Sequence, residues 1–206
     1  TGDAADAPLI GDASNGLRRY SAVLWQVDPD AYPPLNDVQR EAIDSLLAGG
    51  GRLMITGHDL GFGLSDASSP AYTEEREFWL ERVLATRYRA DQFEYNFSLF
   101  GVPEDPVSGN DVEGIPYFEI RNYATNDKVV VAPGIDGEAT RNWLDNGSQQ
   151  GYCGLRWESS GPRGDAGAGF WSGNVSRLLA MYFEWAGLGR NDSAPDERRT
   201  AVLERS

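Results

Sequence analysis

The chain contains one cysteine, Cys153, one histidine, His58, and one lysine, Lys128. A lone cysteine excludes a disulfide within the chain and any metal cluster built on cysteines. A lone histidine excludes a histidine-rich zinc site. Long apolar runs are missing as well. No segment reaches the roughly 18 apolar residues that a membrane-crossing helix needs, and the sequence opens on Thr1-Gly2-Asp3 rather than on a charged and then apolar leader. We therefore expect a soluble, secreted chain that lacks whatever signal peptide it once carried. Positive charge is scarce: 18 basic residues face 32 acidic ones, for a net charge of -14. Nucleic acid and anionic membrane would both be repelled, so neither is an expected partner. With arginine in nearly every basic position, the acidic surface suits a high-salt habitat, where screening relieves self-repulsion, or a GC-rich genome.

Several reaction signatures are also missing. There is no Gly-x-Ser-x-Gly elbow for a serine hydrolase. Gly61-Phe62-Gly63 and the glycine-rich stretch from Gly161 to Gly169 lack the order and the lysine of a phosphate-binding loop, and read as turns. No cofactor is implied. The acidic stretches from Asp105 to Glu113 and from Asp136 to Glu138 do not have the spacing of a calcium loop and read as solvated surface, so no metal is expected. Arg163-Gly164-Asp165 matches an adhesion tripeptide too short to carry weight. Four Asn-x-Ser triplets, at Asn96, Asn146, Asn174 and Asn191, are glycosylation acceptors only in a secreted chain.

With 206 residues, 40% of them hydrophobic and 11% aromatic, the chain can build one cored domain over residues 1–206, behind an exposed lead-in at 1–16. Tyr20 to Val27 reads as a buried strand closed by Asp28-Pro29-Asp30. Asn36 is placed to cap a helix and Gln39 to complete a capping box, with Val38, Ala42, Ile43, Leu46 and Leu47 on one face. Gly49-Gly50-Gly51 stops that helix, and Leu53 to Thr56 reads as a strand buried on both faces. Strand, helix and strand make a βαβ unit, whose two strands should be parallel. Further on, Thr73 caps a helix with Glu74, Glu75 and Glu77 in its first turn and Phe78, Trp79, Val83 and Leu84 on its apolar side. Asp91 to Gly101, Tyr117 to Tyr123, Val129 to Ala132 and Gly151 to Trp157 read as strands. Val175 to Ala186 has helical spacing, and a last helix opens at Pro195.

The residues just past the carboxyl end of a central strand are where open α/β sheets place their ligands. Here they are Gly57-His58-Asp59, followed by Leu60 to Gly63. Through Ala22-Val23-Leu24-Trp25, through Leu47 to Leu53 leading into Thr56-Gly57-His58-Asp59, and through Arg199 to Glu204, the chain resembles the ThuA-like branch of the class I glutamine amidotransferase-like superfamily, as found in large secreted bacterial or archaeal proteins. The resemblance runs from about Tyr20 to the end. It implies a three-layer α/β fold with a mainly parallel, flavodoxin-like sheet. Family members usually carry a strand and helix before Ala22 and end on a complete helix; neither is present, which implies a fold incomplete at its termini. Amidotransferases resemble one another in a nucleophilic cysteine at this corner. Here the corner holds Gly57-His58-Asp59, so glutaminase chemistry is not implied.

His58 therefore has two readings. It is an acid, base or ligand with Asp59 in support, or a corner residue bonded to loop backbone. Gly57 and Phe62 would line a ligand at the corner, and Trp157 and Trp171, flanking the glycine-rich loop, could form a platform for a carbohydrate or peptide. Cys153 lies in a strand pattern and reads as core. Two functions follow: a non-catalytic or catalytically divergent module of a larger secreted protein that binds or packs against neighbouring domains, or a hydrolase- or isomerase-type enzyme acting on a sugar or small polar substrate at His58.

Overall fold

The structure is a computed structural model and describes residues 16–28, 31–92, 96–101, 117–121, 126–132, 139–145, 152–159 and 176–182. After a short 3-10 turn at Leu17–Arg19 come β1 (Ala22–Gln26), α1 (Asp37–Ala48), β2 (Arg52–Thr56), α2 (Leu60–Ser65), α3 (Glu74–Val83), β3 (Thr86–Gln92), β4 (Asn96–Gly101), β5 (Tyr117–Arg121), β6 (Asn126–Val131), β7 (Ala139–Asp145), β8 (Tyr152–Ser159) and β9 (Ser176–Met181). The nine described strands form one sheet of order β1-β2-β9-β8-β7-β4-β5, with β6 pairing both β8 and β3.

The βαβ unit is present as the sequence implies. Asn36 accepts from the Gln39 amide while the Gln39 side chain accepts from the Asn36 amide, each at 2.9 Å, so the box satisfies two donors that the first helical turn leaves over. β1 and β2 run parallel in register from Ala22↔Arg52 to Gln26↔Thr56. β2 also runs parallel to β9, from Arg52↔Arg177 to Thr56↔Met181. This three-stranded stretch is the parallel part of an α/β sheet; the described pairings of β3 to β8, and that of β8 with β9, are antiparallel. A mainly parallel sheet thus describes the side that carries β2 and does not extend across the rest.

One apolar cluster joins Ile43, Leu46 and Leu47 of α1, Leu60 and Leu64 of α2, Trp79, Leu80 and Val83 of α3, and Leu53, Ile55, Leu178 and Ala180 of the sheet. Met54 and Leu179, alternating with these, are buried on the opposite face. Each fully buried Leu or Ile contributes about 1.5–3 kcal/mol, which makes β2 and β9 the spine of the fold. Helices appear on one side of this spine among the described residues.

Four expectations are corrected. Tyr20 to Val27, expected as a buried strand, forms β1 over Ala22–Gln26 only, and Ala22, Leu24 and Gln26 are exposed, because β1 has a single described neighbour. Residues 176–181, expected within a helix, form β9. Because β9 is buried on both faces, its apolar run has no alternation to betray a strand, and helical spacing is satisfied by default. The stretch from Asp91 to Gly101 belongs to two strands with different partners, β3 with β6 and β4 with β5 and β7. On α3, Phe78 is 54% exposed, and Leu80 takes the buried place assigned to it. The stretches 105–113, 136–138 and 163–165, the lead-in up to residue 15, and the helix opening at Pro195 lie outside the described residues.

Between α1 and α3 runs a polar seam. Arg40, nearly buried, donates to Asp37 at 2.8 Å and to Glu75 at 3.3 Å, and the Trp79 indole donates to Asp44 at 2.9 Å. Burial pushes the Asp44 carboxyl up to about 6, against the pull of the Trp79 hydrogen bond and of Arg40. Its folded value lies above the unfolded one of 3.8, so the stabilisation from holding the proton is full below the unfolded value and is lost as the pH rises through about 6. Asp44→Asn keeps an acceptor for the indole and removes the charge. It is expected to raise stability by about 1–3 kcal/mol at pH ~8 and to be near neutral at pH ~4, as read from urea unfolding at both values. A gain independent of pH would contradict this origin.

Candidate functional site

Past Thr56 the backbone leaves the sheet. The Gly57 amide donates to the Met181 carbonyl at 3.1 Å, and the Val27 amide to the Thr56 carbonyl at 2.8 Å, holding the exit between β1 and β9. Gly57 is buried, and a Cβ there would stand 2.8 Å from Val27 Cβ, so the close approach of the chain requires glycine. His58 and Asp59 then turn the chain into α2. The corner is thus where the sequence puts it, at the end of a central strand.

The two side chains are partly covered, 14% exposed for His58 and 21% for Asp59. Nε2 of His58 lies 3.6 Å from Oδ2 of Asp59, an ion pair only when the imidazole is protonated. The same Oδ2 accepts from the Tyr32 hydroxyl at 3.0 Å. Nδ1 of His58 is buried and makes no hydrogen bond. The imidazole is therefore not tied to loop backbone through that nitrogen, and Asp59 links it to Tyr32.

Asp59 occupies the N-cap position of α2, yet its side chain caps nothing. The cap comes from far along the chain. Asp127, at the start of β6 and wholly buried, accepts from the Gly61 amide in a short hydrogen bond and from the Phe62 amide at 3.3 Å. A carboxylate at a helix N-terminus satisfies donors that the first turn leaves over and meets the positive end of the dipole. Gly61 makes the approach possible: a Cβ there would lie 2.9 Å from Oδ2 of Asp127. The neighbouring Tyr182, fully buried at the end of β9, donates to Thr86. Burial pushes its phenol well above the ordinary range, opposed by the Thr86 hydrogen bond and reinforced by the negative charge of Asp127.

Of the other candidates, Phe62 is half-buried and meets the Tyr88 ring edge-on, at 6.0 Å between centroids. Trp157 pairs with Leu178 in β8, level with Leu53 at the start of β2 rather than with the corner. Cys153 follows Tyr152 in β8, and Trp171 lies outside the described residues. Among the described residues no group of three or more His, Cys, Asp or Glu is placed to hold a metal. A polar depression lined by Arg19, Ser21, Gly50 and Arg52 lies at the opposite end of β1 and β2 from His58. Asp127 was not a candidate in the sequence. The period of two that carries Val129 inward carries Asp127 with it, and that was the available signal.

No protein-family model matches this sequence, and no curated protein matches it. Solved structures do match. A cytoplasmic protein from Salmonella typhimurium superposes with a TM-score of 0.57 at 13% identity, over 92% of this chain and 71% of that one. A ThuA-like protein from Bacteroides uniformis superposes with a TM-score of 0.52 at 9% identity, over 92% of this chain and 69% of that one. The fold is ThuA-like. The catalytic mutant of a GH42 β-galactosidase from G. stearothermophilus matches with a TM-score of 0.52 at 10% identity over 91% of this chain, which spans only 21% of the enzyme's length. At these identities the likeness concerns the fold alone.

Within this ThuA-like fold, the contact between Asp127 and α2 should be a stability element. Asp127→Ala leaves two buried amides without their acceptor and is expected to cost about 2–4 kcal/mol. Gly61→Ala drives a methyl into the same carboxylate and is expected to cost about 1–3 kcal/mol. Equilibrium urea unfolding reads both, and combining the substitutions should cost less than the sum because both break one contact.

Proposed function

We propose that this chain is a catalytically divergent amidotransferase-like module of a larger secreted protein, with a binding or packing role toward its neighbouring domains. The observation that carries the reading is the Asp127 carboxylate seated on the amides of Gly61 and Phe62. Amides that open a helix just past a central strand are suited to hold a developing negative charge on a substrate. In this chain a protein carboxylate already occupies them. The corner from Gly57 to Phe62 also contains no hydroxyl or thiol to act as nucleophile. That the fold makes up about a fifth of a GH42 β-galactosidase chain supports the idea of a module inside a larger polypeptide.

One observation favours a second reading, an enzyme of hydrolase or isomerase type acting on a sugar or small polar substrate. The imidazole of His58 keeps an unbonded Nδ1, with Asp59 and Tyr32 beside it. An imidazole beside a carboxylate and a phenol hydroxyl is an arrangement suited to general acid–base work.

An activity panel of amides, including glutamine, with esters and glycosides separates the two. The expected result is no turnover above background by the wild-type chain and the same background from His58→Ala. Turnover that His58→Ala abolishes, with folding intact, would overturn the leading reading in favour of the second.

A further inference from the structure

β1 differs from the rest of the spine. β2 is buried from Leu53 to Thr56, whereas on β1 Ala22, Leu24 and Gln26 are exposed and only Val23 and Trp25 pack toward the core. Leu24 is 50% and Tyr20 is 46% exposed. Among the described strands β1 pairs with β2 alone and stands at the end of the sheet, and an apolar strand with an open edge is a template for another strand. Its charges are also polarised along the strand. In a chain of 32 acidic residues, Leu17 to Val27 contains Arg18 and Arg19 and no carboxylate, while Asp28 and Asp30 follow at once.

We propose that two copies of this chain associate through β1, antiparallel about a two-fold axis at Leu24. A partner that runs antiparallel brings the arginine end of one strand to the aspartate end of the other, at both ends of the ribbon; a parallel partner of the same kind would set like charges together. A two-fold axis meets this requirement with identical chains. Leu24 then faces Leu24 of the second copy, Ala22 faces Gln26, and Tyr20 faces Asp28 with Arg19 beside it. Cross-strand apolar and opposite-charge pairs of this kind each stabilise a ribbon. The acid-free seam lets two copies of charge -14 meet without local repulsion. The edge lies apart from His58 and does not depend on what happens there.

Sedimentation equilibrium of the intact chain between about 1 µM and about 1 mM tests this, in ~0.15 M and ~1 M salt so that overall repulsion is screened in one arm. The expected result is a concentration-dependent dimer in at least one salt arm, with amide exchange at Ala22, Leu24 and Gln26, whose amides face away from β2, slowing as dimer forms. Leu24→Lys sets two cations on the axis and should weaken association by about tenfold or more; because Leu24 is half exposed, folding should survive. In the lower-salt arm Arg19→Asp should also weaken it, and adding Asp28→Arg should restore it. A monomer at the highest concentration in both salts, a dimer indifferent to Leu24→Lys, or a double charge swap that fails to recover association would overturn the proposal.

Discussion

A carboxylate with no contact with water must find donors inside the protein, and Asp127 finds them in the amides of Gly61 and Phe62. This contact links regions far apart in sequence: the exit from the parallel strands and the antiparallel ribbon of β3 and β6. α2 is only six residues long and contains two glycines, so its own propensity does not keep it helical. It persists because Asp127 takes its first amides, and because Leu60 and Leu64 are buried in the cluster shared with α1, α3 and the sheet. The position of His58, immediately before α2, inherits its fixity from that arrangement.

The same contact explains why a resemblance in the backbone carries so little information about chemistry. Strand, corner and helix are present, and in this chain the first amides of the helix donate to a protein carboxylate. Gly61 is the residue that permits this, since any side chain there would occupy the space of the carboxylate. A glycine that reads in the sequence as a loop breaker is in fact a packing requirement.

What was legible in the sequence was local. Asn36 and Gln39 announced their capping box, Thr73 its helix, and Leu53 to Thr56 their burial between two neighbours, because each of these is decided by residues a few positions apart. Long-range pairing was not legible. β3 reads Thr-Arg-Tyr-Arg-Ala-Asp-Gln, with little apolar alternation, and becomes a strand because β6 offers it an edge. β7 reads Ala-Thr-Arg-Asn-Trp-Leu-Asp and pairs with β8 through register shifts that break its period. For β9 the difficulty was the reverse, since residues suited to either structure became a strand when β2 and β8 enclosed them. The corner was visible as a place, whereas the hold of Asp127 on the first amides of α2 depended on one of these unreadable pairings.

The contrast between β2 and β1 extends this point to function. Both are short apolar strands in one βαβ unit, and their sequences would serve equally well in a core. β2 is flanked on both edges and buried on both faces, so its apolar residues are fully used by the fold. β1 has one described neighbour and leaves Leu24 half exposed, so part of its apolar surface is not required by the interior. Natural edge strands are commonly guarded by charge or proline along their length. Here the charges lie only at the ends, arginine before and aspartate after, an arrangement that leaves the middle open and sets the direction from which a second strand can be accepted.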